Sequence, residues 1–233
     1  MTMQPHAVLI TGGCGFIGSN FINYVFDRWH STSFVNIDKL EFGASEENVE
    51  SKVTKSERYK FICGNVQNLE LLLRTLREYK IDTVIHFAAI THVDESYNDR
   101  VGTIVENVLS TTTLLEAVTF HYQNLRRFVH ISTDEVYGDS KNDIAPKNEK
   151  SLLNPTNPYA ASKGACELIL NAYWSSKSCT RGIIFERMRL CIYLSAKQNS
   201  GSVDVAADHT CAKCSAFGAY HMVGITANKA WKV

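Results

Sequence analysis

The residues best suited to chemistry form two small groups in the second half of the chain. Two adjacent carboxylic acids, Asp134 and Glu135, follow the hydroxyl of Thr133, and a Tyr159/Lys163 pair comes further along. Tyr159 and Lys163 would share one face of a helix, so the ammonium could lower the pKa of the phenol and help it take a hydroxyl proton. Neighbouring carboxyl groups can divide acid and base roles between them. The two groups together predict an enzyme that moves protons.

An alternation of short β-rich runs and longer helical patterns must position these residues. Such alternation predicts right-handed β-α-β crossovers and an α/β, doubly wound parallel sheet of the Rossmann type. Ligands bind beyond the carboxyl ends of strands in such sheets, so the two carboxylates would lie at a ligand site. The alternative is that they are a solvated pair at a strand end. The strands are predicted at Ala7–Thr11, Ser33–Asp38, Tyr59–Cys63, Thr83–Phe87, Arg127–Ser132 and Gly182–Arg187, and the helices at Phe16–Trp29, Asn68–Tyr79, Asn107–Tyr122 and Tyr159–Trp174.

Glycines follow the first predicted strand at the spacing G-x-x-G-x-x-G. Gly12, Gly15 and Gly18 would allow a tight turn, a close approach to a pyrophosphate and packing of the next helix against the sheet. The helix would begin at Phe16 and Ile17, and its N-terminus would hold the phosphates. An ordinary tight turn is the alternative for a glycine triplet taken alone.

An aspartate at the end of the second strand indicates which dinucleotide would bind. Asp38 can accept hydrogen bonds from both ribose hydroxyls, and its charge would repel a 2′-phosphate, which favours NAD over NADP. Lys39 beside it could weaken that discrimination. The alternative is that Asp38 only caps a loop.

With these motifs in place, the chain resembles a known family. The glycine triplet, the Thr133-Asp134-Glu135 segment and the Tyr159/Lys163 pair are similar to those of the dTDP-glucose 4,6-dehydratases. These are extended short-chain dehydrogenase/reductases of the NAD-dependent epimerase/dehydratase superfamily. The resemblance covers about residues 5–188 and also rests on Asp38-Lys39-Leu40, His86-Phe87-Ala88-Ala89, Thr91-His92-Val93-Asp94 and Pro155-Thr156-Asn157-Pro158-Tyr159.

The resemblance implies a lyase that uses NAD without net consumption. A hydride would pass from sugar carbon 4 to the nicotinamide and return at carbon 6. Tyr159 with Lys163 would take the proton of the carbon 4 hydroxyl, and Thr133 would bond the same oxygen. Glu135 would remove the proton on carbon 5, while Asp134 would donate to the departing hydroxyl on carbon 6.

The resemblance also assigns less decisive cofactor and substrate positions. Ala88 and Ala89 would let the backbone lie close to the cofactor, although small residues suit helix packing equally well. Thr91 would reach the bound sugar. Asn107 could hold a water or a backbone carbonyl near the Tyr/Lys pair, or be a surface helix residue.

One cofactor position departs from the family pattern. The family has an aspartate followed by an aliphatic residue after the third strand, where the carboxylate meets the adenine amino group. This chain has Asn65 and Val66 there. An amide carbonyl can still accept that hydrogen bond, so weaker binding is expected rather than none.

Composition favours a small-molecule partner, and the resemblance implies that it is a nucleotide sugar such as dTDP-glucose. The formal net charge is zero and no long basic run occurs, so neither nucleic acid nor an anionic membrane is expected as a partner. Apolar stretches fall short of the ~20 residues of a membrane span, and no signal peptide is evident. Seven cysteines, an odd number, suggest free thiols and a cytoplasmic protein.

The character of the sequence changes near residue 188. We expect an NAD-binding domain with the catalytic residues over 1–188 and an atypical tail, not a folded domain, over 189–233. The family's nucleotide-sugar lobe is expected to be missing or replaced there. His209, Cys211, Cys214 and His221 could in principle hold zinc, but their irregular spacing predicts no metal site.

Three alternatives stay open at this point. The chain could be another nucleotide-sugar enzyme, either a UDP-glucose 4,6-dehydratase or an epimerase, although epimerases usually lack both carboxylates. It could instead be a truncated, inactive NAD-binding module. A homodimer through two long helices would also fit their apolar residues, as would core packing within one subunit; these residues are Leu114, Leu115, Val118, Ile169 and Tyr173.

Overall fold

The computed structural model describes residues 4–139, 147–175, 183–190, 193–196, 203–206 and 225–227. Within them, a six-stranded parallel sheet is formed by β1 (Ala7–Thr11), β2 (Ser33–Asp38), β3 (Tyr59–Cys63), β4 (Thr83–His86), β5 (Arg127–Thr133) and β6 (Ile184–Leu190). The strand order is β3-β2-β1-β4-β5-β6, which is that of a Rossmann fold. The predicted fold class is confirmed.

Helices connect the strands and cover both faces of the sheet. They are α1 (Phe16–Phe26), α2 (Ser51–Thr54), α3 (Leu69–Glu78), α4 (Val93–Asn98), α5 (Arg100–Glu116) and α6 (Pro158–Ser175). Two 3₁₀ turns lie at Glu46–Asn48 and Asp134–Tyr137, and a π-helical turn, Ala117–His121, continues α5. The sequence patterns predicted α1, α3, α5 and α6 but missed the short helices α2 and α4.

Alternation along the strands divides the core into two layers. Val8 and Ile10 of β1 pack on one side of the sheet with Ile22 of α1. Leu9, between them, belongs to the opposite layer with Leu72 of α3 and several apolar residues of α5. Because successive strand residues point to opposite faces, a fully apolar strand such as β1 supplies both layers at once.

Helix capping explains where α5 begins. The helix starts at Arg100, well before the predicted Asn107, because the Asp99 side chain accepts the backbone N–H of Gly102 at 2.8 Å. An aspartate at this position satisfies one of the donors that the first turn leaves unpaired. The early start gives α5 the length to run past the ends of β2, β3 and β4.

The chain beyond the predicted boundary at residue 188 continues the sheet. β6 extends to Leu190. Further along, β7 (Tyr193–Ala196), β8 (Val203–Ala206) and β9 (Ile225–Ala227) pair as an antiparallel three-stranded sheet. That residues 189–233 form no folded domain stays a prediction.

The apolar residues considered for a dimer differ in how deeply they are buried. Leu114, Leu115 and Val118 are fully buried in the core of this chain, so they contribute to packing within the subunit. Ile169 and Tyr173 are partly buried against the same core. None of the helices in the described part of the chain is long and apolar enough to cross a membrane.

Candidate active site

The two carboxylates lie in a tight turn at the carboxyl end of β5. Thr133 ends the strand, and its hydroxyl accepts the backbone N–H of Glu135 at 3.2 Å. Gly138 closes the turn at φ +84°, where a β-carbon would lie 2.2 Å from the carbonyl oxygen of Asn154. Glycine is therefore required there. The turn leaves Asp134 and Glu135 half-buried.

An asparagine joins this turn to the start of α6. Asn157 donates its Nδ2 hydrogen to Oε2 of Glu135 at 2.8 Å, and its Oδ1 accepts the backbone N–H of Ala160 at 2.7 Å. The second bond caps α6, which has Pro158 at its first position, the place where proline is best tolerated. The sequence analysis gave Asn157 no role, although an Asn-Pro step before a helical pattern is a capping signal.

Tyr159 reaches the same turn from the first turn of α6. The phenol is buried, 8% exposed, and hydrogen-bonds the Thr133 hydroxyl. Burial, and then the charge of Glu135, raise the pKa of Tyr159 above its ordinary value despite that hydrogen bond. The direction is opposite to the lowering that we expected from Lys163. The site brings together Thr133, Glu135 and Tyr159 as predicted, but with the phenol firmly protonated.

Lys163 lies one helical turn below Tyr159 and is almost wholly buried. Burial lowers the pKa of Lys163, against the opposing influence of Cys166 and Glu167. Its neighbours include two buried histidines of the sheet. Burial, followed by the charge of Lys163, lowers the pKa of His86 to about 3 and lowers that of His130 as well. Both imidazoles are therefore neutral near pH 7.

Asn107 lies behind the site rather than on the surface. Its Oδ1 accepts the backbone N–H of Ile90 at 2.7 Å, and its Nδ2 donates to the carbonyl oxygen of Ile90 at 3.0 Å. The same Nδ2 lies 2.9 Å from the hydroxyl oxygen of Ser162, the neighbour of Lys163. Asn107 is 2% exposed, so the surface-residue alternative is wrong.

The glycine-rich turn forms a narrow cradle between β1 and β4. Gly12 has φ +73°, and a β-carbon there would lie 2.6 Å from the backbone nitrogen of Ala88. A β-carbon on Gly18 would lie 2.3 Å from the carbonyl oxygen of Gly12. Gly15 precedes α1 without a side-chain cap. This crevice is at the topological switch point, where dinucleotides bind in sheets of this order.

Asp38 holds the loops on either side of the β2 end. Its Oδ2 accepts the backbone N–H of Cys14 at 2.9 Å, and its Oδ1 accepts that of Leu40 at 2.9 Å. The second bond fixes Leu40 in the left-handed region at φ 58°. Asp38 does cap a loop, yet each carboxylate oxygen keeps a second lone pair for a ribose hydroxyl.

A polar network connects the segments after β2 and β3 with the middle of α5. The Lys39 ammonium lies 2.8 Å from Oε1 of Glu41 and 3.1 Å from Oε1 of Glu106. Gln67 donates to Oε2 of Glu106 at 2.5 Å. Asn65 shapes this corner, because its Oδ1 accepts the backbone N–H of Gln67 at 2.8 Å. Sequence reasoning missed Glu106, which no local motif distinguishes from a surface helix residue.

The remaining predicted positions surround this crevice. Phe16 and Ile17 are the first two residues of α1 and are partly buried. Val66 is buried in the core layer that contains α3. Ala89 is partly buried and Thr91 is exposed in the segment that follows β4.

A buried ion pair lies beside the turn that carries Asp134 and Glu135, and sequence reasoning missed it. Glu167 is fully buried on α6, and its Oε1 accepts hydrogen bonds from the Ser132 hydroxyl at 2.6 Å and from Nε of Arg189 at 2.8 Å. Arg189 also donates to the Tyr137 hydroxyl at 2.5 Å. Arg189 lies one residue beyond the predicted boundary at residue 188 and nevertheless contacts the core of the domain.

No group of three or more potential metal ligands occurs in the part of the chain that the structure describes. The His209, Cys211, Cys214 and His221 pattern lies outside the described residues.

Comparison with known proteins agrees with this geometry. The family model for GDP-mannose 4,6 dehydratase matches residues 9–188. The chain belongs to this family, within the NAD-dependent epimerase/dehydratase superfamily. The resemblance to dTDP-glucose 4,6-dehydratases is confirmed.

The relatives include dehydratases of two nucleotide sugars. The dTDP-D-glucose 4,6-dehydratase of Dictyostelium discoideum is 41% identical over an alignment of 178 residues, with 72% of this chain and 40% of the relative covered. The human dTDP-D-glucose 4,6-dehydratase is 39% identical over 167 residues, 72% of this chain and 46% of the relative. A trifunctional UDP-glucose 4,6-dehydratase of Arabidopsis thaliana is 39% identical over 176 residues, 75% of this chain and 26% of the relative.

Solved structures show the same fold. A dTDP-glucose 4,6-dehydratase of Streptomyces venezuelae, solved with NAD bound, has a TM-score of 0.71 at 34% identity, covering 80% of this chain and 56% of that one. A UDP-glucose 4-epimerase of Thermus thermophilus, in complex with NAD, has a TM-score of 0.67 at 30% identity, covering 78% and 54%. The chain spans less than half the length of the curated relatives named above.

Proposed function

We propose that this chain is a lyase of nucleotide-sugar metabolism, an NAD-dependent 4,6-dehydratase that converts dTDP-glucose to the 4-keto-6-deoxy sugar. The observation that carries the proposal is the pair Asp134 and Glu135 at the carboxyl end of β5, within electrostatic reach of the buried phenol of Tyr159. An acid, a base and a phenol at one strand end are the groups that removal of water beside a transient ketone requires.

The residues present fit NAD. At Gly12 and Gly18 the neighbouring backbone is too close for any β-carbon, so only glycine lets the turn pack this tightly in front of α1, whose N-terminus could approach a pyrophosphate. Asp38 would hold the adenosine ribose. Bound NAD would supply the acceptor for the carbon 4 hydride and the donor for carbon 6. Asn65 and Val66 would border the adenine.

The side chains around the turn would then divide the proton transfers. Tyr159 and Thr133, already hydrogen-bonded to each other, would both meet the carbon 4 oxygen. Because Tyr159 is protonated in its buried setting, it needs nearby positive charge to release its proton, and the Lys163 ammonium one turn away contributes to it. Glu135, held by Asn157, would take the carbon 5 proton, and Asp134 would donate to the leaving hydroxyl.

The proposed substrate could carry either of two nucleotides, dTDP or UDP. Relatives named for dTDP-glucose and for UDP-glucose are similarly identical to this chain, so UDP-glucose is the second candidate substrate. Epimerases share the fold, but an epimerase would leave the acid and base roles of Asp134 and Glu135 unused. A side-by-side assay with both nucleotide sugars decides between the two dehydratase reactions.

The decisive experiment uses the purified full chain with NAD⁺ and dTDP-glucose or UDP-glucose. We expect mass spectrometry to detect the 4-keto-6-deoxy product, and we expect Asp134→Asn and Glu135→Gln to abolish it while NAD⁺ binding persists. Glu70→Gln, at an exposed carboxylate in the first turn of α3, is the matched control and should remain active. NAD⁺ binding by the wild type without turnover of either sugar would refute the proposed activity and leave an NAD-binding module.

We also propose that the chain forms a homodimer through α5 and α6. Exposed apolar residues recur at every fourth position of α5, at Val101, Val105 and Leu109, and Leu168 of α6 is 61% exposed. Such a stripe is more apolar than a solvated helix face needs to be. We expect light scattering to give the dimer mass for the wild type and the monomer mass for Val105→Glu; a monomeric wild type would overturn this.

A cytoplasmic location completes the proposal. The cysteines of the described residues, Cys14, Cys63 and Cys166, are free thiols, as expected in a reducing compartment. Cell fractionation with a soluble cytoplasmic marker would test it.

A further inference from the structure

A lysine beside the expected ribose site is neutralised from two sides. Lys39 follows Asp38 directly at the carboxyl end of β2, and its ammonium pairs with Glu41 and with Glu106 of α5. In dinucleotide-binding sheets an acidic residue here meets the ribose 2′-hydroxyl, whereas a nearby cation accommodates a 2′-phosphate. Asp38 and Lys39 thus offer opposite preferences at adjacent positions.

The turn that carries Lys39 is held in place. Asp38 accepts the backbone N–H of Leu40, which fixes the backbone on the far side of Lys39. Although burial acts to lower it, hydrogen bonds to Glu41 and Glu106 raise the pKa of Lys39 above its ordinary value. The ammonium is charged at neutral pH, and its charge is directed toward the two glutamates.

Glu106 is the better-placed of the two partners. Its side chain is 28% exposed, against 58% for Glu41, so its pairing with Lys39 is less screened by solvent. Gln67 holds the other carboxylate oxygen of Glu106 at 2.5 Å. The Glu106 carboxylate is therefore held between Lys39, which follows β2, and Gln67, which follows β3.

The net charge around Lys39 is negative and would repel the 2′-phosphate of NADP⁺. Asp38, Glu41 and Glu106 carry three negative charges against the single positive charge of Lys39. A 2′-phosphate would bring between one and two more negative charges at pH 7. Removing the charge of Glu106 would lower the repulsion and leave Lys39 paired only with the more exposed Glu41, from which it could turn toward the phosphate.

We infer that Glu106 is a specificity-determining residue, which makes the chain prefer NAD⁺ over NADP⁺ by engaging Lys39 through an ion pair. The inference rests on the proposed NAD site and assigns to α5 a part in choosing the cofactor. Asp38 would exclude the 2′-phosphate directly, and Glu106 would prevent Lys39 from compensating.

Equilibrium binding of both cofactors tests the inference without requiring turnover. Calorimetric titration of the full chain compares NAD⁺ and NADP⁺ for the wild type, Glu106→Gln, Glu41→Gln and the double variant Lys39→Met/Glu106→Gln. We expect Glu106→Gln to bind NADP⁺ about tenfold more tightly, which corresponds to about 1.4 kcal/mol, with NAD⁺ affinity within about threefold of the wild type. Glu41→Gln, the matched control, should change the ratio less.

Lys39→Met in the Glu106→Gln background should abolish the gain in NADP⁺ affinity, because it removes the cation that the first substitution frees. Glutamine at position 106 keeps an amide that can still bond Gln67, and circular dichroism melting would verify folding. An unchanged NADP⁺ to NAD⁺ ratio in Glu106→Gln, or a gain that survives Lys39→Met, overturns the inference while leaving the NAD site intact. Failure of the wild type to bind NAD⁺ overturns the proposed function and this inference together.

Discussion

Replacing Arg189 by methionine should destabilise the chain more than any conservative change on the exposed side of β6. Arg189 donates from Nε to both carboxylate oxygens of Glu167, at 2.8 and 3.1 Å, and its Nη2 makes a further bond to Oε2. Glu167 is fully buried, so Arg189→Met leaves a buried carboxylate without its main partner. Such losses cost 3–5 kcal/mol.

Two neighbours of Glu167 moderate the expected cost. The Ser132 hydroxyl still donates to Oε1, and Nη1 of Arg187 remains 3.6 Å from Oε2. We therefore expect a loss near the lower limit, about 3 kcal/mol in the free energy of unfolding. With a urea dependence of about 2 kcal/mol per molar, the unfolding midpoint should fall by about 1.5 M.

Arg187→Met provides the matched control on the same strand. Its side chain is 31% exposed and its contact with Glu167 is longer, so the loss should stay below about 1 kcal/mol. The double variant Arg189→Met/Glu167→Met removes both charges and should recover much of the stability that Arg189→Met loses. Equal costs for Arg187→Met and Arg189→Met would refute the argument, as would a double variant less stable than Arg189→Met.

Three further predictions concern pH and the glycine-rich turn. Burial raises the pKa of Tyr59 to about 12. Its contribution to the free energy of unfolding is therefore fully present below pH ~10 and is lost as the pH rises to 12. Tyr59→Phe should make the free energy of unfolding fall less steeply at alkaline pH. Burial lowers the pKa of His86 to about 3. Its contribution to the free energy of unfolding is therefore fully present above pH ~6.5 and is lost as the pH falls toward 3. His86→Gln should reduce this loss of stability in acid, and an unchanged dependence of the free energy of unfolding on pH would contradict the assignment. Gly12→Ala should abolish NAD⁺ binding, whereas Gly43→Ala, at a similar φ of +79° but with its nearest neighbour atom 3.9 Å away, should retain it. Equal binding by both glycine variants would show that the clash at Gly12 is unimportant.

The sequence was most informative where one local pattern determines the structure. β1 is buried and almost wholly apolar, and it has its predicted limits, as do the more polar β2 and the edge strand β3. The prediction that Tyr159 and Lys163 share one helix face depended only on the presence of a helix, α6, at these residues. α2 and α4 were missed because four and six residues are too few to display a helical period.

Contacts between distant segments could not be predicted in the same way. Glu167 and Arg189 are 22 residues apart and meet only because α6 packs beside β6. Lys39 and Glu106 meet only because α5 passes beside the carboxyl end of β2. The raised pKa of Tyr159 has the same origin, since its burial follows from tertiary packing, whereas the expected effect of Lys163 came from sequence spacing alone.

Asn107 satisfies the backbone of Ile90 where the chain leaves the sheet after β4. One amide side chain bonds both the N–H and the C=O of Ile90, as an adjacent strand would. The chain can therefore leave the sheet after β4 without leaving the N–H and C=O of Ile90 unpaired. Of the short side chains, asparagine alone offers a donor and an acceptor in this planar arrangement. A single side chain thus takes the place of a neighbouring strand for one residue of the segment that follows β4.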